Sequence, residues 1–198
     1  MPRAIAILAR APVPGQAKTR LIPALGAAGA AQLQARLIEA TLAKAYALPD
    51  CTVTLWVAGD AAQLPRAARA AAVEPQVGAD LGERMAHAFD RTLRHARQVV
   101  VIGTDCPAMT PAHLHDAFAA LATRDVVLQP ATDGGYVAIG LAAPQPALFA
   151  GIRWGSNEVL AATVERIAAL GLRCALLDPL PDLDTPEDYM HATAQGWL

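Results

Sequence analysis

Several features that would assign the chain to a broad class at once are missing or scarce. It has only three cysteines, Cys51, Cys106 and Cys174, odd in number and far apart. They leave no closed disulfide framework and no zinc-ligand spacing, and they suit a reducing compartment. Charge of either sign is not in excess: sixteen Lys and Arg stand against eighteen Asp and Glu over 198 residues. No overall field is present to gather a polyanion such as DNA, so any cations that matter must act locally. Long hydrophobic runs are absent, and nothing approaches the ~20 apolar residues of a membrane helix. The run Ala4–Ala9 is too short for a signal-peptide core and is followed by Arg10, where a small-residue cleavage site would be needed. The expectation is a soluble, cytoplasmic protein that spans no membrane and binds no nucleic acid. Both familiar glycine-rich phosphate loops are missing too. No G-x-G-x-x-G occurs, and Gly15 and Lys18 are three apart where a P-loop needs glycine and lysine adjacent.

What the chain does have is apolar residues, 54% of the total, enough to cover a sheet on both faces within a single domain spanning residues 1–198. Ala4–Ala9 and Val99–Ile102 are unbroken apolar runs rich in β-branched residues and read as buried parallel strands. Thr52–Ala58, Asp125–Leu128, Tyr136–Leu141 and Leu172–Leu177 complete the predicted strands. Helices are predicted over 27–48, 60–72 (weaker, with Pro65 near its start), 81–97, from Pro111 behind a Thr110 cap, over 157–169, and from Thr185 onward. Strands alternating with helices argue for an α/β fold with a mostly parallel sheet covered by helices on both faces. The short link Asp133-Gly134-Gly135 is too brief for a helical crossover, so one neighbouring strand is expected to run antiparallel or to lie out of the main order.

In such sheets ligands bind beyond the carboxyl ends of the strands, and the polar clusters fall there. Arg10-Ala11-Pro12-Val13-Pro14-Gly15-Gln16-Ala17-Lys18-Thr19-Arg20 follows the first strand. Prolines stiffen this loop, and Arg10, Lys18 and Arg20 supply charge for phosphate oxygens; the bland alternative is a solvated basic loop. Substituting Lys18 or Arg20 is expected to weaken nucleotide binding with little effect on folding. Asp105, after four buried β residues, is either a turn residue or an oxygen ligand for Mg²⁺ or Mn²⁺ on a diphosphate. Two further carboxylate segments favour the ligand reading: Asp133, before paired glycines that permit close approach, and the pair Asp182 and Asp184. Each has its own local alternative, a Gly-Gly turn for Asp133 and a residue before the Thr185 cap for Asp184. The segment from Gln76 through Gly82 to Arg84 is either a helix start with Asp80 and Glu83 complementing the dipole or a loop that reads a base or ribose. Trp154 is a stacking candidate, with burial as the alternative. Cys106 gains no thiolate stabilisation from the adjacent carboxylate and is no nucleophile candidate. His87, His95, His113, His115 and His191 fall on predicted helices with no nucleophile signature.

Taken in order, Ala9-Arg10-Ala11-Pro12-Val13-Pro14-Gly15-x-x-Lys18-Thr19-Arg20-Leu21, Asp80-Leu81-Gly82-Glu83-Arg84-Met85, Ile102-Gly103-Thr104-Asp105-Cys106-Pro107, Asp133-Gly134-Gly135-Tyr136 and Asp184-Thr185-Pro186-Glu187-Asp188 resemble the bacterial nucleotide-diphospho-sugar transferase-like (DUF2064-like) family. Some members of that family are assigned as glycosyltransferases of arsenosugar biosynthesis. The resemblance covers nearly the whole chain, and it implies a GT-A fold and a divalent cation, Mg²⁺ or Mn²⁺. It implies that Asp105 is the metal-binding aspartate with Asp184 as a second ligand, and that Arg10, Lys18 and Arg20 form the phosphate loop. From the residues themselves, Asp105 and Asp133 are the candidate catalytic carboxylates, and Pro14 and Gly15 are candidates for the nucleotide beside those cations. Gln76, Gly82 and Arg84 would join them on the nucleotide.

Three functions follow from these expectations. Glycosyl transfer from a nucleotide sugar needs a stabilised diphosphate leaving group and no glycine-rich cradle. Nucleotidyl transfer from a nucleoside triphosphate, as in the molybdopterin- and phospholactate-guanylyltransferase relatives, usually has one, although Lys18-Thr19-Arg20-Leu21 resembles a stretch of the guanylyltransferases. A non-catalytic nucleotide-binding protein is the third. The acceptor is a small molecule that the sequence does not identify.

Overall fold

The computed structural model describes residues 2–198. In chain order the regular elements are β1 (Arg3–Arg10), α1 (Ile22–Tyr46), β2 (Cys51–Ala58), β3 (Ala72–Pro75), α2 (Leu81–Leu93), β4 (Gln98–Ile102), α3 (Pro111–Ala120), β5 (Val126–Pro130), β6 (Tyr136–Leu141), α4 (Val159–Ala169), β7 (Cys174–Leu176) and α5 (Pro186–Ala194). The strands form one sheet in the order β3-β2-β1-β4-β6-β5-β7. All neighbours are parallel except β6, which runs antiparallel to both β4 and β5, as the short Asp133–Gly135 link requires.

The unbroken apolar character of the central strands follows from the two faces they serve. Successive side chains alternate across a strand, so Ile5, Ile7 and Ala9 of β1 join one core with Ile38 and Leu42 of α1 and Phe118 of α3. Ala4, Ala6 and Leu8 join the opposite core with Met85 and Phe89 of α2 and Ile167 of α4. A third cluster joins Leu33 and Leu37 of α1 to Leu183 and to Ala192 of α5, which ties the C-terminal segment to the outside of α1. β1 pairs in parallel with β4, with Ala4 opposite Val99 and Ile7 opposite Ile102. Their carboxyl ends therefore lie on the same edge.

Some expected elements are corrected. Residues 60–72 form no helix, only two single turns at Ala61–Gln63 and Ala68–Ala70. Pro65 removes a backbone donor between them, and only Leu64 and Ala68 are buried, so no apolar stripe holds a helix down. The chain instead reaches β3, an edge strand beside β2. Helix α2 ends at Leu93, not Arg97, because the chain turns back there and Arg97 N–H donates to the Pro2 carbonyl (2.9 Å) on the way into β4. His95 thus lies beyond the helix. Helix α1 carries a break at Gly26 (φ 69°), a left-handed conformation that glycine adopts freely, so its regular part starts where the sequence reading begins it. No helix among the described residues is long and apolar enough to cross a membrane.

Candidate active site

Because β6 is the antiparallel strand, its first residue, Tyr136, lies on the edge where β1, β4, β5 and β7 end. The loops holding Lys18, Asp105, Asp133 and Asp184 therefore converge, although they lie far apart in sequence. Two backbone contacts fix the last of them. Ala131 bridges to Leu180 in parallel fashion, and Leu183 N–H donates to the Asp105 carbonyl at 2.7 Å. Asp184 is thereby held beside Asp105.

Between them sits Lys18. Its Nζ lies 2.9 Å from Asp105 Oδ1 and 3.1 Å from Asp184 Oδ1 and also donates to the Leu183 carbonyl. Only 5% of the side chain is exposed. The backbone at Lys18 is left-handed (φ 48°, ψ 47°), a conformation costing a non-glycine residue of order 1 kcal/mol and found most often where function over-determines the geometry. Arg20 approaches the other oxygen of Asp184 at 3.8 Å, with 72% of its side chain in solvent.

Gln34 of α1 braces this arrangement from behind. The residue is buried, and its Nε2 donates to the Arg10 carbonyl (3.2 Å) and to Thr104 Oγ1 (3.1 Å). Thr104 in turn donates to Asp105 Oδ1 at 3.2 Å. Lys44, also on α1, donates to the Pro107 carbonyl (2.7 Å) and pins the far side of the Asp105 loop. Nothing in the local sequence marks Gln34 or Thr104 as a site residue, beyond one trace: Gln34 is an amide among the apolar positions 33, 37 and 38 of the α1 stripe.

Two cavities open here and share Leu8, Asp105 and Asp184 in their walls. One, of about 330 Å³, is polar and cationic, lined by Arg10, Gln16, Lys18 and Arg20. The other, of about 300 Å³, is apolar and acidic, and holds Asp133 and Asp182 as well as the shared pair. Burial, and after it the nearby Asp133 carboxylate, pushes Asp182 up to about 6. Asp133 uses Oδ1 to accept the Gly135 N–H (2.8 Å), so the turn role foreseen for it is real and leaves one oxygen uncommitted by that turn.

Other expected site residues line neither cavity. Pro14 and Gly15 shape the turn in which Gln16 and Ala17 N–H reach the Val13 carbonyl, with Gly15 at φ 80°. Gln76 clamps two strands, its Nε2 donating to the carbonyls of Ala9 and Trp56 (both 2.9 Å). Arg84 Nε donates to the Gly78 carbonyl at 3.1 Å. Asp80 caps α2 through the Glu83 N–H, and Glu83 reaches back to Ala79 N–H, a reciprocal cap of the capping-box kind. Gly82 is buried beneath Trp154, whose Nε1 stands 2.6 Å from where a Cβ would be. Trp154 itself is half-buried, with the Tyr136 ring edge-on at 6.4 Å, and so packs the wall behind the acidic cavity. Burial first of all pushes the Cys106 thiol up to about 11, in keeping with no nucleophilic role. The histidines are occupied elsewhere: His113 Nδ1 accepts the Thr110 N–H at the start of α3, while His87 and His191 pack edge-on against Trp56 and Trp197.

Residues 41–156 match the DUF2064 family, described as uncharacterized proteins conserved in bacteria. The chain belongs to that family. A crystal structure from Desulfovibrio desulfuricans G20, assigned provisionally as a nucleotide-diphospho-sugar transferase, is 30% identical over 98% of this chain and 87% of its own, with a TM-score of 0.88. More distant structures share the fold of this DUF2064 member. A CMP:2-keto-3-deoxy-manno-octonic acid synthetase complexed with CTP is 12% identical over 99% of this chain and 98% of its own (TM-score 0.64). Rv0371c from Mycobacterium tuberculosis H37Rv, in complex with manganese, is 16% identical over 96% and 97% (TM-score 0.60). No curated protein matches the chain. The likenesses establish for this DUF2064 protein the α/β transferase fold expected from its sequence.

Among the described residues no three His, Cys, Asp or Glu side chains form a cage able to hold a metal unaided. Asp105 and Asp184 are a pair, both within reach of one ammonium. Such a pair suits Mg²⁺ or Mn²⁺, which commonly take one or two carboxylates and complete their shell with phosphate and water oxygens.

Proposed function

We propose that the protein is a metal-dependent transferase acting on a nucleotide-diphosphate donor, with glycosyl transfer from a nucleotide sugar as the leading reaction. The observation that carries this reading is the position of Asp105 and Asp184 in the wall shared by a cationic cavity and an apolar one, with Lys18 of the cationic side paired to both. The provisional assignment of the D. desulfuricans relative, 30% identical over nearly the whole chain, supports it. In this reading Arg10, Lys18 and Arg20 bind the donor's phosphates through charge-assisted hydrogen bonds. Asp105 and Asp184 would hold Mg²⁺ or Mn²⁺, which when bound offsets the charge developing on the departing diphosphate. An acceptor hydroxyl in the apolar cavity attacks the anomeric carbon, the bond from that carbon to the phosphate oxygen breaks, and the nucleoside diphosphate leaves with the electron pair. Asp133 takes the hydroxyl proton through the oxygen that its own turn does not use.

Nucleotidyl transfer is the second reading, and Lys18-Thr19-Arg20-Leu21 favours it. The two part on the product. The protein is incubated with nucleotide sugars and nucleoside triphosphates in Mg²⁺ or Mn²⁺, and released phosphates are followed. Nucleoside diphosphate is the expected product. Pyrophosphate would transfer the assignment to the second reading, and no binding of any nucleotide would refute both.

A further inference from the structure

The two cavities that share Asp105 differ in charge, and that difference selects a class of acceptor. The cationic side has Arg10, Lys18 and Arg20 in its wall, a set suited to phosphate. The other side is walled by apolar groups, among them Leu81, Met85 and Ile139, and its ionisable lining consists of Asp105, Asp133, Asp182 and Asp184 with the thiol of Cys106 and the phenol of Tyr136. No lysine, arginine or histidine lines it. Lys18, on the cationic side, is already paired with Asp105 and Asp184. Even with those two neutralised, by the ammonium or by a divalent cation, Asp133 and Asp182 face the cavity without a cationic partner among the described residues. A second phosphate or a carboxylate entering here would meet like charge, most strongly at Asp182, which is half-buried, and less at Asp133, which is exposed. The volume of about 300 Å³ is at the lower end of small-ligand sites.

From this geometry we infer that the apolar cavity takes an uncharged or cationic acceptor, a compact apolar body bearing a hydroxyl or amine, and turns away phosphorylated and carboxylated ones. The inference deepens the transferase reading and rests on it for the word acceptor. It also separates this cavity from one built to receive a sugar phosphate, whose anion would need cations of its own.

Met85 lines the cavity, whereas Met109 and Met190 do not, so methionine methyl groups report on occupancy. The full chain, labelled with ¹³C at its methionine methyls, is titrated with cyclohexylmethylamine, cyclohexylmethanol and cyclohexylmethyl phosphate, three probes with one apolar body. The expected result is a shift of the Met85 methyl by the amine at a concentration at least tenfold lower than by the phosphate, with the alcohol also ahead of the phosphate and Met190 unmoved. In the Asp133→Asn/Asp182→Asn variant the gap between amine and phosphate should shrink. The inference is overturned if the phosphate moves Met85 as readily as the amine, or if none of the three moves it. Nucleotide binding by the same sample, followed by calorimetry, is read separately. Its failure would refute the transferase reading whatever Met85 does.

Discussion

Lys18 is the residue on which most of the site's electrostatics turn. A lysine in a proline-stiffened basic loop reads as a phosphate ligand or, failing that, a solvated charge, yet its ammonium is buried against two carboxylates and a carbonyl. Both partners lie far along the chain, Asp184 by 166 residues, so no local pattern could announce the pairing. The expectation that Lys18 can be removed without affecting folding is revised accordingly. Lys18→Met keeps the stem but leaves Asp105 and Asp184 facing each other, and should cost about 1–3 kcal/mol, each kcal/mol lowering the melting midpoint by about 2–4 °C in a chain of this size. Millimolar Mg²⁺ should then raise the midpoint more in the variant than in the wild type, because the metal and the ammonium are alternative partners for the same oxygens. Equal Mg²⁺ responses would separate Lys18 from the metal site. Arg20 behaves differently, since it is mostly in solvent and its contact with Asp184 is long. Arg20→Ala should leave the midpoint nearly unchanged while weakening nucleotide binding by about 1–3 kcal/mol, as a lost charge-assisted contact would.

Among the elements, legibility followed burial. β1 and β4 are readable because both of their faces are covered, so every position from Ala4 to Ala9 and from Val99 to Ile102 is apolar. β3 is not readable: it lies at the sheet edge, is held by backbone pairing to β2, and its side chains are mostly exposed. Its alanine-rich approach mimics a helix in composition but has no stripe to bury. The start of α2 was legible as a segment yet ambiguous in meaning, because Asp80, Gly82 and Glu83 suit either a nucleotide loop or a packed helix start, and the hydrogen bonds and the Trp154 contact supply the second role. Gly82→Ala tests it, since a Cβ would press into the indole and overpacking of this kind costs about 1–3 kcal/mol; an unchanged midpoint would mean that Trp154 yields freely. At the other side of the sheet Asp125 joins β5 to β7, accepting from the Arg173 guanidinium and backbone N–H (2.8–3.0 Å). The Arg173 side chain foremost holds the Asp125 carboxyl down at about 2, from an ordinary 3.8. A depressed folded-state value contributes stability above the unfolded value and loses it as pH falls towards the folded one. Arg173→Ala should therefore be slightly less stable than wild type at pH 7, by a small amount because the pair is exposed, and the difference should fade between about pH 4 and pH 2 in denaturation experiments.

For the molecule as a whole, the topology does the assembling. One antiparallel strand, β6, brings the Asp133 turn to the edge where β1 and β4 deliver Arg10 and Asp105, and the Leu183–Asp105 backbone contact brings Asp184 from the C-terminal segment. The order of these segments and their common edge could be anticipated from apolar strands followed by polar loops. The division of that edge into a cationic and an acidic cavity could not, since it depends on how loops distant in sequence pack, with Asp105 and Asp184 facing both cavities and Asp133 and Asp182 only one. In the proposed reaction Asp105 joins these two halves as a ligand of the divalent cation on the donor's phosphates. Asp105→Asn keeps the shape and removes the charge, and the Asp105 backbone contact to Leu183 does not depend on the side chain. The most direct measurement is calorimetric titration of this variant and the wild type with nucleoside diphosphate, with and without Mg²⁺ or Mn²⁺. An intact fold, metal-enhanced binding in the wild type and loss of that enhancement in Asp105→Asn are expected; binding by the variant with the same metal dependence would leave Asp105 a turn residue and remove it from the metal site.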